Sequence, residues 1–230
     1  MVESTSLLTR QGVKTLDGSN PSVSALRTCY RHDPQTQGCG TTRKPIDMKY
    51  VYHSSKIQGL KIIEPRVSTH GNSWVYAMEK PEYCLMFLGN HGDIINQTGF
   101  TDGIPYIAER FERALEYAYK NKTGSVYTLK GLDFKAGMTT FTREFVCDHS
   151  CEVVEEQKIE DALKEILQLE SEGKIKIYKY PNLPSWMPAD KSDLIEKVVE
   201  WAKKPGSTIL ESVKEFHSDI LDKVTQKLKK

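Results

Sequence analysis

The predicted fold depends on two segments, Val51-Tyr52-His53-Ser54-Ser55 and Trp74-Val75-Tyr76-Ala77-Met78. Both are rich in β-branched and aromatic residues, which strands favour. Between them, Leu60-Lys61-Ile62-Ile63 forms a third short run of strand-forming residues, and Thr69-His70-Gly71-Asn72-Ser73 has the composition of a turn. This part of the chain is therefore predicted to contain short strands joined by turns.

Helices and further strands follow without the regular alternation of βαβ units. Pro81 begins a short apolar segment that suits a buried helix, and apolar residues recur with a helical period from Ile159 to Leu167. Residues 93–107 are predicted to form a loop, and residues 108–119 a helix or a strand. Strands are predicted at residues 125–129, 141–147 and 175–180, and helices at residues 192–202 and 208–228. The predicted fold class is α+β.

Composition and charge narrow the class of protein. The 230 residues include 32 Lys and Arg against 31 Asp and Glu, a formal net charge of +1, which argues against a dedicated nucleic-acid surface but leaves a local basic patch possible. No apolar run approaches the roughly 20 residues that a membrane helix needs, and the N-terminus lacks a secretory signal. Five cysteines, an odd number, favour reduced thiols. We predict a cytoplasmic protein with no membrane partner.

The chain is predicted to have three parts. Residues 1–48 are rich in Ser, Thr, Gly, Pro, Arg and Gln without strand or helix periodicity, which is typical of a flexible arm. Residues 49–183 hold the predicted strands of one domain. Residues 184–230, which start among Pro181, Pro184 and Pro188, are predicted to form a C-terminal helical extension.

The strand segments, together with Gly59-Leu60-Lys61-Ile62-Ile63-Glu64-Pro65-Arg66, resemble the diphtheria-toxin-like branch of the ADP-ribosyltransferases. That branch includes the poly(ADP-ribose) polymerases and the RNA 2′-phosphotransferases. The resemblance extends from Tyr50 to Tyr180. It implies a small split antiparallel β-sheet core with a few helices, and a transferase of the glycosyltransferase class that uses NAD as its substrate.

The resemblance also implies a role for individual residues. His53 would hydrogen-bond the adenosine-side ribose, Ser55 would contact the nicotinamide-side ribose, and the backbone at Ser54 would bind the nicotinamide amide. Tyr76 would stack on the nicotinamide ring, and Glu144 would be the catalytic carboxylate. The sequence departs from the family in having His-Ser-Ser where His-Gly-Ser or His-Gly-Thr is usual, and the assignment of Glu144 rests on strand order.

The chemistry of NAD cleavage requires the same residue types. Breaking the bond between nicotinamide and ribose builds oxocarbenium character, which a nearby carboxylate stabilises. A guanidinium matches phosphate oxygens, so Arg66 is a candidate to bind the diphosphate. Each residue also has a structural interpretation: Tyr76 as a core aromatic, Glu144 as a solvated strand residue and Arg66 as a surface residue of a turn. Three further carboxylates compete for the catalytic role, Glu152, Glu155 and Glu156.

Three functions remain open at this point. The first is transfer of ADP-ribose from NAD to a protein, nucleic-acid or small-molecule acceptor. The second is a non-catalytic module that binds a nucleotide or a protein on the same fold. The third is a small zinc protein, since Cys147-Asp148-His149-Ser150-Cys151 is half of a zinc site that Cys29, His32 and Cys39 would complete. The first two of these functions assign no residue as a metal ligand.

Overall fold

The computed structural model describes residues 48–67, 72–90, 92–139, 141 and 143–229. The predicted N-terminal arm, residues 1–48, lies outside the described residues except for Met48. The same holds for most of the predicted turn at residues 69–73 and for Cys29, His32 and Cys39 of the third hypothesis.

An eight-stranded antiparallel sheet forms the centre of the domain. Its strands, in chain order, are β1 (Tyr50–Ser55), β2 (Ile62–Ile63), β3 (Arg66–Val67), β4 (Ser73–Met78), β7 (Gly124–Lys130), β8 (Lys135–Ala136), β9 (Glu144–Cys147) and β10 (Cys151–Ile159). They lie in the order β2-β10-β7-β1-β4-β9-β8, and β3 pairs with β4. Every strand pair in this sheet is antiparallel.

A second, three-stranded sheet consists of β5 (Asn96–Thr101), β6 (Ile104–Glu109) and β11 (Lys176–Tyr178), in the order β11-β6-β5. The prediction of a loop at residues 93–107 was wrong, because β5 and β6 form a hairpin there. Asp102 and Gly103 both have positive φ, 53° and 74°, as a two-residue hairpin turn requires. Gly99 was taken as a loop signal, but it leaves space for the Tyr106 ring, which a Cβ atom would meet at 2.7 Å.

The described part of the chain contains six α-helices, which pack on one face of the large sheet. They are α1 (Pro81–Leu85), α2 (Ala114–Tyr119), α3 (Ala162–Ser171), α4 (Ser192–Ala202), α5 (Ile209–Phe216) and α6 (Leu221–Leu228). The apolar sides of all six contribute buried residues to one hydrophobic cluster, which also contains Met78 and Val126 from the large sheet. None of the described helices is both long and apolar enough to cross a membrane. The predicted α+β class is confirmed.

The C-terminal helices are an extension in sequence but share the core of the domain. Leu194, Val198, Val213 and Val224 are all fully buried in the same cluster as α1 and α3. The prediction of a single helix over residues 208–228 was wrong, because this segment forms two helices. It is interrupted at His217, whose buried imidazole donates a hydrogen bond from Nε2 to the carbonyl oxygen of Ile94 at 2.5 Å.

A buried ion pair joins this extension to the hairpin sheet. The guanidinium of Arg110 donates two hydrogen bonds to the carboxylate of Asp193 in α4, at 2.7 and 3.1 Å. It also donates to the side chain of Gln97 and to the backbone oxygen of Asp93, both at 3.0 Å. The Arg110 side chain is only 1% exposed, so its charge depends on these partners for compensation.

Asp193→Ala is expected to destabilise the whole domain by about 3 kcal/mol, because it leaves the Arg110 charge buried without its carboxylate. Urea unfolding followed by circular dichroism measures the change. The control is Asp222→Asn in α6, where the side chain is exposed, and the expected effect is within about 0.5 kcal/mol. A loss of C-terminal helix signal in a separate, earlier transition would contradict a shared core.

Candidate functional site

The large sheet opens between β1 and β4. β1 pairs with β7 at all six of its residues, and β4 pairs with β9 from Val75 to Met78. Between β1 and β4, however, the only paired residues among those described are Tyr52 and Met78. The two strands therefore diverge beyond this pair. We call the space between residues 53–55 of β1 and residues 75–77 of β4 the split.

His53 crosses the split. The backbone oxygen of Tyr76 accepts a hydrogen bond from Nδ1 of His53 at 2.7 Å. Burial lowers the pKa of His53, the hydrogen bond to Tyr76 opposes that change, and the charge of Arg66 adds to it. His53 is therefore neutral near pH 7. Because a carbonyl oxygen only accepts, the proton sits on Nδ1, and Nε2 is left as an acceptor.

The predicted site residues do not all lie on one face of the sheet. Tyr52 packs on the cluster that contains Met78, whereas Val51 belongs to a second cluster on the other face with Tyr127. Side chains alternate along a strand, so Ser54 shares the face of Tyr52. His53 and Ser55 share the opposite face with Tyr127, which pairs directly with His53.

Tyr76 and Glu144 lie on the same face as each other. Met78 is paired with Glu144, and Tyr76 with Val146, so Tyr76 and Glu144 are diagonal neighbours on adjacent antiparallel strands. Diagonal neighbours of this kind are roughly 7–8 Å apart, within reach of long side chains. The alternation thus brings Tyr76 and Glu144 together and assigns the imidazole of His53 to the other side of the split.

Glu144 is buried, which overturns its interpretation as a solvated strand residue. Its exposed fraction is 8%, and its backbone N–H donates to the oxygen of Phe141 at 3.1 Å. Burial raises the pKa of Glu144 to about 7, opposed by a hydrogen bond from the side chain of Thr139. The adjacent Arg143 pairs with Glu79 instead. A carboxyl group with this pKa changes its charge near neutral pH, as acid–base residues in active sites do.

The competing carboxylates have other surroundings. Glu156 accepts hydrogen bonds from the backbone of Gly59 and from Ser125, both at 2.7 Å, and from Tyr127 at 3.3 Å. These bonds hold the segment after β1 against β7 and β10, which is a structural role. Glu152 and Glu155 are exposed on β10. Glu144 is the one of the four that is buried, and it lies on the strand paired with that of Tyr76.

Arg66 and Ser55 lie at the ends of the split. Arg66 is exposed on β3 and pairs with Trp74, whose ring meets that of Tyr76 edge to face with centroids 6.1 Å apart. The guanidinium is thus free to reach solvent anions near the aromatic pair. The hydroxyl of Ser55 already has one hydrogen-bond partner, because its Oγ accepts a hydrogen bond from the backbone N–H of Ile57 at 3.1 Å.

A groove of about 270 Å³ lies beside the split, on the face of Tyr52. Strands β1, β7 and β10 form its floor, and Pro81 at the start of α1 forms one wall. None of the six predicted site residues lines it. Sequence reasoning missed this groove because β10, which supplies Val154, Glu155 and Gln157, was not predicted as a strand.

Comparison with known proteins does not assign the chain to a family. No family model, no curated protein and no solved structure matches the chain. The candidate site therefore rests on its own geometry and chemistry.

Replacing Glu144 with Gln is expected to change how stability depends on pH. The pKa of Glu144 is raised from 4.5 to about 7, so its contribution to folding is complete below pH 4.5 and is lost as the pH rises through 7. At about 1.4 kcal/mol per pKa unit, the loss amounts to roughly 3 kcal/mol. The neutral Gln does not titrate, so the variant should gain stability over the wild type as the pH rises.

Urea titrations at a series of pH values measure this difference. Glu155→Gln, on an exposed strand position, serves as the matched control and should differ from the wild type by a constant amount. A Glu144→Gln variant whose stability difference is also independent of pH would show that the carboxyl group titrates normally.

Proposed function

We propose that the protein is an NAD-dependent ADP-ribosyltransferase that releases nicotinamide and transfers ADP-ribose to an acceptor. The acceptor is a protein, a nucleic acid or a small molecule. The observation that carries this proposal is that Tyr76, in the split, and Glu144, on the neighbouring strand, are adjacent on one face of the sheet. They combine a stacking surface with a carboxylate that ionises near neutral pH.

The order of the strands supports the division of roles that the sequence resemblance implies. β1, β4 and β9 are consecutive neighbours in the sheet, and they carry His53, Tyr76 and Glu144 respectively. Three residues that are distant in sequence are thereby placed on three successive strands of the sheet. A dinucleotide that enters the split would meet all three strands.

In the proposed reaction, Glu144 acts in its ionised form. The bond between C1′ of the ribose and the nicotinamide nitrogen breaks, and its electron pair leaves with the nicotinamide. The carboxylate stabilises the positive charge that develops on the ribose and orients the 2′-hydroxyl. An acceptor nucleophile then forms the new bond to C1′. The burial of Glu144 strengthens its interaction with that charge.

His53, Tyr76 and Arg66 bind the substrate. Nε2 of neutral His53 accepts a hydrogen bond from a ribose hydroxyl, while its Nδ1 proton stays on the Tyr76 backbone oxygen. The ring of Tyr76 stacks on the nicotinamide. Arg66, exposed beside Trp74, binds the diphosphate. Ser54 lies across the split from Tyr76, and the backbone there is the proposed contact for the nicotinamide amide; Ser55 contacts the neighbouring ribose.

One observation favours a second function, a non-catalytic nucleotide-binding module. The alternation along β1 and β4 assigns the imidazole of His53 and the ring of Tyr76 to opposite faces. The transferase requires a nucleotide that passes through the split and touches both. A module that binds a nucleotide on one face alone needs no such passage and no ionised Glu144.

Nicotinamide release from NAD by the purified chain separates the two functions. For the transferase, Glu144→Gln should lower the rate of release about 100-fold or more, with little change in the binding of NAD. Tyr76→Ala should weaken binding as well. The wild-type rate should rise with pH through about 7, as Glu144 ionises, and this rise should disappear in Glu144→Gln.

Glu160→Gln, at an exposed position outside the groove, is the matched control and should release nicotinamide at the wild-type rate. Binding of NAD without release, measured by calorimetry, would support the module. Release that is unaffected by Glu144→Gln would exclude Glu144 as the catalytic carboxylate, and the absence of both binding and release would overturn the proposal altogether.

A further inference from the structure

The short loop that connects β9 to β10 gathers metal-binding side chains. β9 ends at Cys147, β10 begins at Cys151, and Asp148, His149 and Ser150 form the turn between them. One ligand atom from each of Cys147, Asp148 and His149 lies within 4.8 Å of the others. This cluster is at the opposite end of β9 from Glu144, and β4, where Val75 pairs with Cys147, lies between it and the split.

Two distances within the cluster are close to those around a tetrahedral zinc ion. Sγ of Cys147 is 3.4 Å from Nδ1 of His149, and Nδ1 of His149 is 3.1 Å from Oδ1 of Asp148. Zinc bonds of about 2.3 Å to sulfur and about 2.0 Å to nitrogen or oxygen, at tetrahedral angles, place neighbouring ligand atoms roughly 3.3–3.6 Å apart. All three ligand atoms lie within 4.8 Å of one another, so a bound ion requires side-chain adjustment and no backbone rearrangement.

Two charged side chains lie beside the ligands. A carboxylate oxygen of Asp133 is 3.6 Å from Nε2 of His149, which is an ion-pair distance too long for a hydrogen bond. A shift of a few tenths of an ångström would make Asp133 the carboxylate partner that metal-binding imidazoles usually have. Lys135 donates to Oδ2 of Asp148 at 2.9 Å, and Oδ1 of Asp148 is 3.1 Å from Nδ1 of His149.

Cys151 supplies a second sulfur at the same turn. Sγ of Cys147 and Sγ of Cys151 each lie 3.5 Å from the backbone oxygen of His149. Two sulfurs, an imidazole and a carboxylate form a ligand set that suits zinc better than magnesium or calcium, which prefer oxygen ligands.

We propose that the loop between β9 and β10 binds one zinc ion through Cys147, Asp148 and His149, with Cys151 turning inward as the fourth ligand. The sequence pattern alone gave half a site that needed Cys29, His32 and Cys39. The loop brings three ligands together without them, and Cys151, two residues after His149, is the fourth once its side chain turns inward. The ion fixes the end of the strand whose first residue is Glu144, a structural role that is independent of whether the protein cleaves NAD.

Zinc content of the full chain, purified without chelator, tests the proposal. One equivalent is expected, together with charge-transfer absorption from thiolate to metal when cobalt replaces zinc. His149→Ala and Asp148→Asn alter exposed side chains, so folding should survive while zinc affinity falls at least about 10-fold. Asp133→Asn should weaken binding about 10-fold, through the orientation of His149. Chelation should lower the melting temperature of the wild type and leave that of His149→Ala unchanged.

The double variant Cys29→Ser, Cys39→Ser is the control for the alternative ligands and should keep its zinc. Metal that is lost in this variant but kept in His149→Ala would overturn the proposal. A chain that contains no zinc and takes up no cobalt with thiolate absorption, although its thiols are reduced, would overturn it as well. Cys151→Ser tests the fourth ligand, and its expected effect is a loss of one of the two thiolate contributions to the cobalt spectrum.

Discussion

The pairing of β1 is the constraint on which the rest of the structure depends. On one side, all six residues of β1 pair with β7. On the other side, β1 pairs with β4 only at Tyr52 and Met78 among the described residues. Buried strands normally pair along their length, because unpaired backbone groups cost free energy. The split between β1 and β4 is tolerated where polar groups replace the missing pairing, and the hydrogen bond from His53 to the Tyr76 backbone does so directly.

The split stays open because each of its walls is supported from behind. β7 and β10 pair through most of their length behind β1, and β9 pairs with four residues of β4. Helix α1 packs across β1, β4 and β7, where its Cys84 thiol donates to the backbone oxygen of Tyr52 at 3.2 Å. The C-terminal helices complete the same core. The site is thus carried by rigid elements, as precise positioning of reacting groups requires.

Local sequence signals were sufficient for the strands that form the split. Strands β1, β4 and β7, the short helix at Pro81 and strand β11 were predicted from their residue types and confirmed. β10 was missed because its run of Glu152, Glu155, Glu156 and Lys158 is mostly exposed and carries no apolar alternation. The break at His217 was missed because it depends on a contact with Ile94, more than one hundred residues away in the chain.

The candidate site was predictable in its residue types but not in its orientation. His53 and Tyr76 follow from short segments, whereas their faces depend on the register of β1 against β7 and of β4 against β9. The burial of Glu144 likewise depends on the segment around Phe141, whose ring packs on Phe100 of the second sheet, with centroids 5.3 Å apart. The sequence of residues 141–147 alone does not predict that contact.

The burial of Glu144 sets stability against function in the proposed enzyme. Each increment of desolvation raises the pKa of its carboxyl group and makes the ionised form more costly to the fold. The same desolvation strengthens the attraction between the carboxylate and a positively charged ribose in the transition state. A pKa near 7 is a compromise between the two, because a more deeply buried carboxyl would rarely ionise and a solvated one would stabilise the ribose weakly.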